Sequence, residues 1–118
     1  MDRRALYVDV DDTLLLHDKS QYPDYQHITV SCNGREFVGV AHAKNIKLLI
    51  KFWKLGYEVY VWSKTGKSWA EAVCRALSLE GYVSAYLTKP DFYMDDKGAN
   101  EWLGPRVYRD PKTGEESK

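Results

Sequence analysis

Long apolar runs are missing from this chain, and so is any surplus of charge. No stretch approaches the roughly 20 apolar residues that a membrane span needs. The first apolar segment, inside MDRRALYVDVDDTLL, is broken by acids, so neither a span nor a targeting segment is expected there. Lys plus Arg and Asp plus Glu each number 17, a formal net charge of zero. No overall field therefore recruits nucleic acid or membrane, and any charged binding surface has to be local. Cysteine is scarce: Cys32 and Cys74 lie far apart without C-x-x-C spacing. That argues against a zinc frame or disulfide and for two free thiols in a reducing compartment, so a cytoplasmic protein is expected. Internal repeats are absent as well. With 118 residues, 44% of them hydrophobic, the chain can bury one core but not two.

What is present alternates between strand and helix signals. Ala5 to Val10 is a short apolar run that stops in acids, as a buried parallel strand does on reaching a site. A polar, aromatic stretch follows. ITVSC and REFVGV then flank Asn33-Gly34, which predicts a type I′ hairpin over residues 28–40. Ile46, Leu49, Ile50 and Trp53 recur at helical spacing before Gly56, a fitting C-terminal stop. Residues 57–62 read as a buried strand. Ser68 with Glu71 makes an S-x-x-E capping box for a helix reaching about Glu80, before Gly81. Short strands are expected near residues 83–87 and 92–94, with a weak one at Val107-Tyr108, and the tail from Pro111 is expected to be disordered. The pattern predicts one α/β domain over residues 1–110, with a Rossmann-like, mostly parallel sheet flanked by helices and a small β-hairpin flap after the first strand.

Chemistry gathers at the expected strand ends. Asp9 and Asp11 are two apart, so an extended backbone points both to one face. Asp95-Asp96 closes the run Phe92-Tyr93-Met94, which would deliver a second acidic pair to the same sheet edge. Two carboxylates about 4 Å apart repel by roughly 4 kcal/mol at an effective dielectric of about 20, so four together need a cation or bound protons. Hard oxygen ligands suit magnesium. The competing view, that DVDD and MDD are solvated turn acids, has to place acids directly behind apolar strands twice in one short chain.

These residues resemble the motifs of the haloacid dehalogenase superfamily of phosphohydrolases, in order over residues 5–99. ALYVDVDDTLL looks like the first motif, DxDxT after a strand. VYVWS supplies the second-motif Ser63, and TKPDFYMDDKGA resembles the third and fourth together. Asp12 stands where many relatives carry Gly, and Asp tolerates tight-turn geometry better than most residues. The resemblance implies a Mg2+-dependent phosphomonoesterase. Asp9 would be the nucleophile that forms an aspartyl-phosphate, and Asp11 the general acid and base. Ser63 and Lys89 would hold the phosphoryl group. The implied metal ligands are Asp9, Asp11 through its carbonyl, Asp95 and Asp96, while Thr13 shapes the turn or serves as an ordinary helix-start hydroxyl. There is no room for a large cap, so the site is expected to be nearly open. That suits a phosphorylated small molecule enclosed by a neighbouring subunit, or a nucleic-acid or protein end.

Three other readings fit less well. Gly66-Lys67-Ser68 resembles the end of a phosphate-binding P-loop, but Val61 stands where its first glycine is required. A receiver domain needs an aspartate on its middle strand, and none lies between Asp24 and Asp91. A catalytically silent module that binds phospho-ligands or nucleic-acid ends on the same fold is at odds with a full set of catalytic side chains. Lys44, Lys47, Lys51 and Lys54 form a stripe on the first helix, read as a solvated face or as contacts to a nucleic-acid backbone. Trp53, Trp62 and Trp69 read as core and Trp102 is unplaced. His17, His27 and His42 lack metal-ligand spacing, and His42 reads as a surface or helix-start residue.

Overall fold

The computed structural model describes residues 3–116. Three parallel strands form its centre in the order β1 (Ala5–Asp9), β5 (Glu58–Ser63), β6 (Ala85–Thr88). Along β1 and β5, Val8, Val10, Val59 and Val61 are buried and alternate with Tyr7, Asp9, Tyr60 and Trp62, so one side of the pleat is core. The register sets Tyr7 opposite Tyr60 and Asp9 opposite Trp62. A second, antiparallel sheet has the order β2 (Leu15–Leu16), β4 (Arg35–Ala41), β3 (His27–Cys32). Helices α1 (Ala43–Lys54) and α2 (Lys67–Ala76) complete the α/β architecture that the alternating signals predict. No helix among the described residues is long and apolar enough to cross a membrane.

The hairpin turns as its sequence requires: Asn33 and Gly34 have φ of 52° and 77°, both positive as a type I′ turn demands. It is more than a flap. Leu15 and Leu16 pair with Ala41 and Val40, and this contact depends on Gly39, where a Cβ would come within 2.9 Å of Leu15 and of the Leu16 carbonyl. Val30 and Val40 are fully buried, and β3 lies against α2, so one face of the hairpin sheet belongs to the core.

Several local expectations fail. Ser68 does not cap α2. Gly66 does, at φ 124°, and the amide of Lys67 bonds instead to Thr88 Oγ1 at 3.2 Å. The strand-to-helix turn needs a positive φ at residue 66, which leaves Ser68 inside the helix and Glu71 free to pair with Arg75 at 3.0 Å. The helix stops at Ala76 because Ser78 turns to φ 58°. No strand forms at residues 92–94 or at Val107-Tyr108, since an apolar run becomes a strand only where its backbone meets a free sheet edge. Trp53, expected in the core, is 44% exposed and packs edge-to-face on Tyr82. In the expected disordered tail, residues 111–114 form a turn and Arg109 bridges to Glu116, while residues 117–118 lie outside the described residues.

His42 is a helix-start residue and is fully buried rather than at the surface. Its Nδ1 accepts from the Asn45 amide at 3.1 Å, capping α1, so the ring is neutral with its proton on Nε2. Burial holds its pKa below the usual histidine value. A protonated ring could not accept at Nδ1, and the unfolded chain takes up the proton more readily than the native one. The capping contribution is therefore fully present above about pH 6.5 and is lost as pH falls towards the depressed native pKa. Thermal melts across pH 5–8 should show His42→Asn, which keeps a cap acceptor, flattening this decline relative to the wild type.

Candidate active site

The parallel strands end level, and their ends carry the chemistry. Asp9 is the last residue of β1, Ser63 the last of β5, and Lys89 follows directly on β6. The Lys89 amide donates to the Ser63 carbonyl at 2.9 Å, tying the second and third of these positions together. Alternation continues past β1, so Val10 is buried while Asp9 and Asp11 are both partly exposed. The next turn is tight. The amides of Thr13, Leu14 and Leu15 all point at the Val10 carbonyl, and Asp12 adopts the left-handed φ of 61° expected of a residue in a glycine-like position.

Around Asp9, Thr13 Oγ1 donates to Oδ2 at 3.1 Å and Lys89 Nζ lies 3.8 Å from Oδ1. Thr13 is thus held on the nucleophile candidate, and its carbonyl accepts from Asn45 Nδ2 at 3.0 Å, which fastens the turn to α1. Three donors converge on Asp11. His17 Nε2 stands 2.7 Å and Trp69 Nε1 2.9 Å from Oδ1, and Ser63 Oγ lies 3.3 Å from Oδ2. Ser63 is fully buried and its Oγ also accepts from the Thr65 amide at 3.0 Å. The four residues Asp9, Asp11, Ser63 and Lys89 therefore come together.

Asp95 and Asp96 do not join them. Both are exposed, and Asp95 Oδ1 accepts from the Lys97 amide at 3.0 Å. Among the described residues, no group of three or more His, Cys, Asp or Glu side chains could hold a metal ion. As arranged, the carboxylates do not form a magnesium cage. The segment between Lys89 and this acidic pair is exposed despite its apolar sequence: Phe92 is 92%, Tyr93 59% and Met94 101% accessible.

His17 and Trp69 join the site without any motif spacing that marks them as site residues. Trp69 lies on the core side of α2, and only the tertiary packing turns its indole N–H to Asp11. His17 is six residues from Asp11 with no motif spacing, and Phe37 of the hairpin supports its ring at 4.8 Å. A cavity of about 210 Å³ opens beside Asp9 and Lys89, walled by Tyr7, Trp62, Leu48 and Tyr108.

The family model described as NLI interacting factor-like phosphatase matches residues 4–101. The chain belongs to this family. It is thus a phosphatase of the haloacid dehalogenase type, and the match spans every candidate site residue from Asp9 to Asp96. No curated protein and no solved structure matches the chain. Val107 and Tyr108, which contribute to the cavity walls, lie beyond the family match.

His17 fixes one rotamer of Asp11, so His17→Ala should lower kcat on an alkyl phosphate about tenfold while leaving KM nearly unchanged. The size follows from about 1.5 kcal/mol for one hydrogen bond to a charged group. His17→Gln, which keeps a donor, should recover part of the loss in steady-state assays.

Proposed function

We propose that this phosphatase hydrolyses phosphomonoesters through an aspartyl-phosphate on Asp9, with Asp11 as general acid and base. The observation that supports it best is the unequal treatment of the two carboxylates. Asp9 lines the cavity with one oxygen, Oδ2, accepting from a hydroxyl and the other, Oδ1, 3.8 Å from the Lys89 ammonium, while Asp11 is clamped by three donors. A nucleophile needs a free oxygen, and a proton carrier needs a fixed orientation.

In the first half-reaction an Asp9 oxygen bonds to phosphorus as the bond to the leaving oxygen breaks, and Asp11 gives that oxygen its proton. In the second, Asp11 takes a proton from water as the water oxygen attacks phosphorus, and the Asp9 carboxylate is released with inorganic phosphate. Lys89 balances the negative charge that gathers on the phosphoryl oxygens. Ser63 turns its hydroxyl from Asp11 to one of them.

Magnesium dependence is part of the same proposal. Its ligands would be Asp9, the Asp11 carbonyl, Asp95 and Asp96, and the acidic pair would have to be brought to Asp9 by a rearrangement of residues 89–98. The exposure of Phe92, Tyr93 and Met94 supports this, since three large apolar side chains in water favour any arrangement that covers them. Bound there, the ion supplies positive charge opposite the phosphate dianion. The free thiols Cys32 and Cys74, the latter pushed up to about 12 by burial, fit a cytoplasmic location.

Hydrolysis of p-nitrophenyl phosphate should vanish in excess chelator and return with magnesium, and Asp95→Asn should raise the magnesium concentration needed for half-maximal rate about tenfold or more. Full activity in chelator would exclude the metal.

Asp11→Asn tests the nucleophile. An aryl phosphate leaves with little acid assistance, so its first step outlasts its second in this variant and phospho-Asp9 accumulates. Acid quench and mass spectrometry should find a hydroxylamine-sensitive phosphate on the peptide containing Asp9. An adduct on Ser63 or Thr13 would overturn the mechanism.

A further inference from the structure

A second cavity, of about 220 Å³, lies on the other side of Leu48 from the one at Asp9 and is lined by Lys44, Lys47, Lys51, Arg109 and Gly114. No acid is among its walls. Lys44, Lys47 and Lys51 make no ion pair among the described residues, and all three are exposed. They span about 10 Å along one face of α1 at 1.5 Å per residue. Like charges three and four residues apart repel. Two of the lysines also sit in the first half of the helix, whose first turn carries no acid although its dipole favours anions there. This arrangement costs stability unless an anion is bound.

The C-terminal strap completes the cavity. The Arg109 amide donates to Asn45 Oδ1 at 2.8 Å, fixing the strap to α1, and Lys44 Cδ comes within 3.4 Å of where a Gly114 Cβ would lie. Of the strap's three acids, none lines the cavity: Asp110 accepts from the amides of Lys112 and Thr113 at 2.8 and 2.9 Å, and Glu115 and Glu116 are exposed.

Helix and strap both continue into the catalytic cavity. Leu48 walls both cavities, and Tyr108, next to Arg109, lines the first together with Tyr7 and Trp62. Tyr7 is 46% exposed and its ring lies 4.8 Å from Trp62. A cationic track joined to accessible aromatic faces is what a single-stranded nucleic acid requires: charge for successive backbone phosphates, rings for unstacked bases. A phosphopeptide would use the cations but has no comparable need of the adjoining aromatic side chains.

We propose that the Lys44–Lys47–Lys51–Arg109 cavity binds the backbone of a single-stranded nucleic acid whose terminal phosphate lies at Asp9. The proposal rests on the phosphatase reading for its orientation, but not for its detection. The test uses the full chain carrying Asp9→Asn, to prevent turnover, and the anisotropy of a labelled oligothymidylate of about twelve nucleotides with a terminal phosphate. Adding Lys44→Gln, Lys47→Gln and Lys51→Gln together should weaken binding about tenfold or more and flatten the dependence of log K on log salt by about 2, near 0.7 for each charge removed. Tyr7→Ala should weaken binding without changing that slope. Lys54→Gln, on the same helix but outside the cavity, should leave binding as it was.

In the catalytically intact chain, the triple substitution should lower kcat/KM for the oligonucleotide relative to that for p-nitrophenyl phosphate. Equal affinity with and without the three lysines, or tighter binding of a multiply phosphorylated peptide than of the oligonucleotide, would overturn the proposal. Absence of p-nitrophenyl phosphate hydrolysis in the wild type would instead strike the phosphatase mechanism, and the anisotropy result would stand by itself.

Discussion

Parallel hydrogen bonding of β1 to β5 and of β5 to β6 brings Asp9 beside Trp62 and Ser63 beside Thr88. Everything chemical in the molecule depends on that register. A β1 slipped by one residue would turn Asp9 into the core in place of Val8 and Val10, and bury a carboxylate without a partner. Because Val8 and Val10 are buried on the core side, such a slip also carries two apolar side chains to the other face. The packing of valines therefore holds the nucleophile candidate in place, although none of them touches a substrate.

Much of the architecture was legible because its signals are local. Asn33-Gly34 needs only two positive φ values to make its turn, and Ala5 to Asp9 needs only an apolar run ending in acid. The convergence of Asp9, Asp11, Ser63 and Lys89 followed from placing each at a strand end. The rest depended on tertiary competition. Ser68 and Glu71 have the spacing of a capping box, but Gly66 is the residue able to take the turn, so the helix starts two residues too early for Ser68 to cap it. Phe92, Tyr93 and Met94 have the composition of a strand without a partner edge among the described residues. Trp69 and Arg109 carry no spacing signal, because each reaches its site through elements distant in sequence, and His17, though only six residues from Asp11, falls at no motif spacing.

The site and the basic cavity share Leu48 as a wall, and polar contacts beside it hold the surrounding elements together. Asn45 links the turn after β1, through the Thr13 carbonyl, to the strap, through the Arg109 amide, and the Tyr108 hydroxyl adds a bond to the Asp12 carbonyl at 3.1 Å. Beside it His42 caps the same helix and packs edge-to-face on Tyr108. A buried, fully used amide of this kind fixes geometry more than it adds stability, since its partners would otherwise be solvated.

The same parallel register also sets an order in time. The Asn33-Gly34 hairpin closes over neighbouring residues, whereas β1 must wait for β5, its partner across the whole hairpin and first helix, and β5 in turn for β6. Loops of that length close late and pairings of that kind form slowly. During synthesis Asp9 and Asp11 leave the ribosome with the first segment, yet they remain two unpaired acids on a loose chain until Lys89 has followed. Catalytic competence is then the last property the nascent chain acquires, and any fragment ending before β6 can own a folded hairpin while lacking an active site.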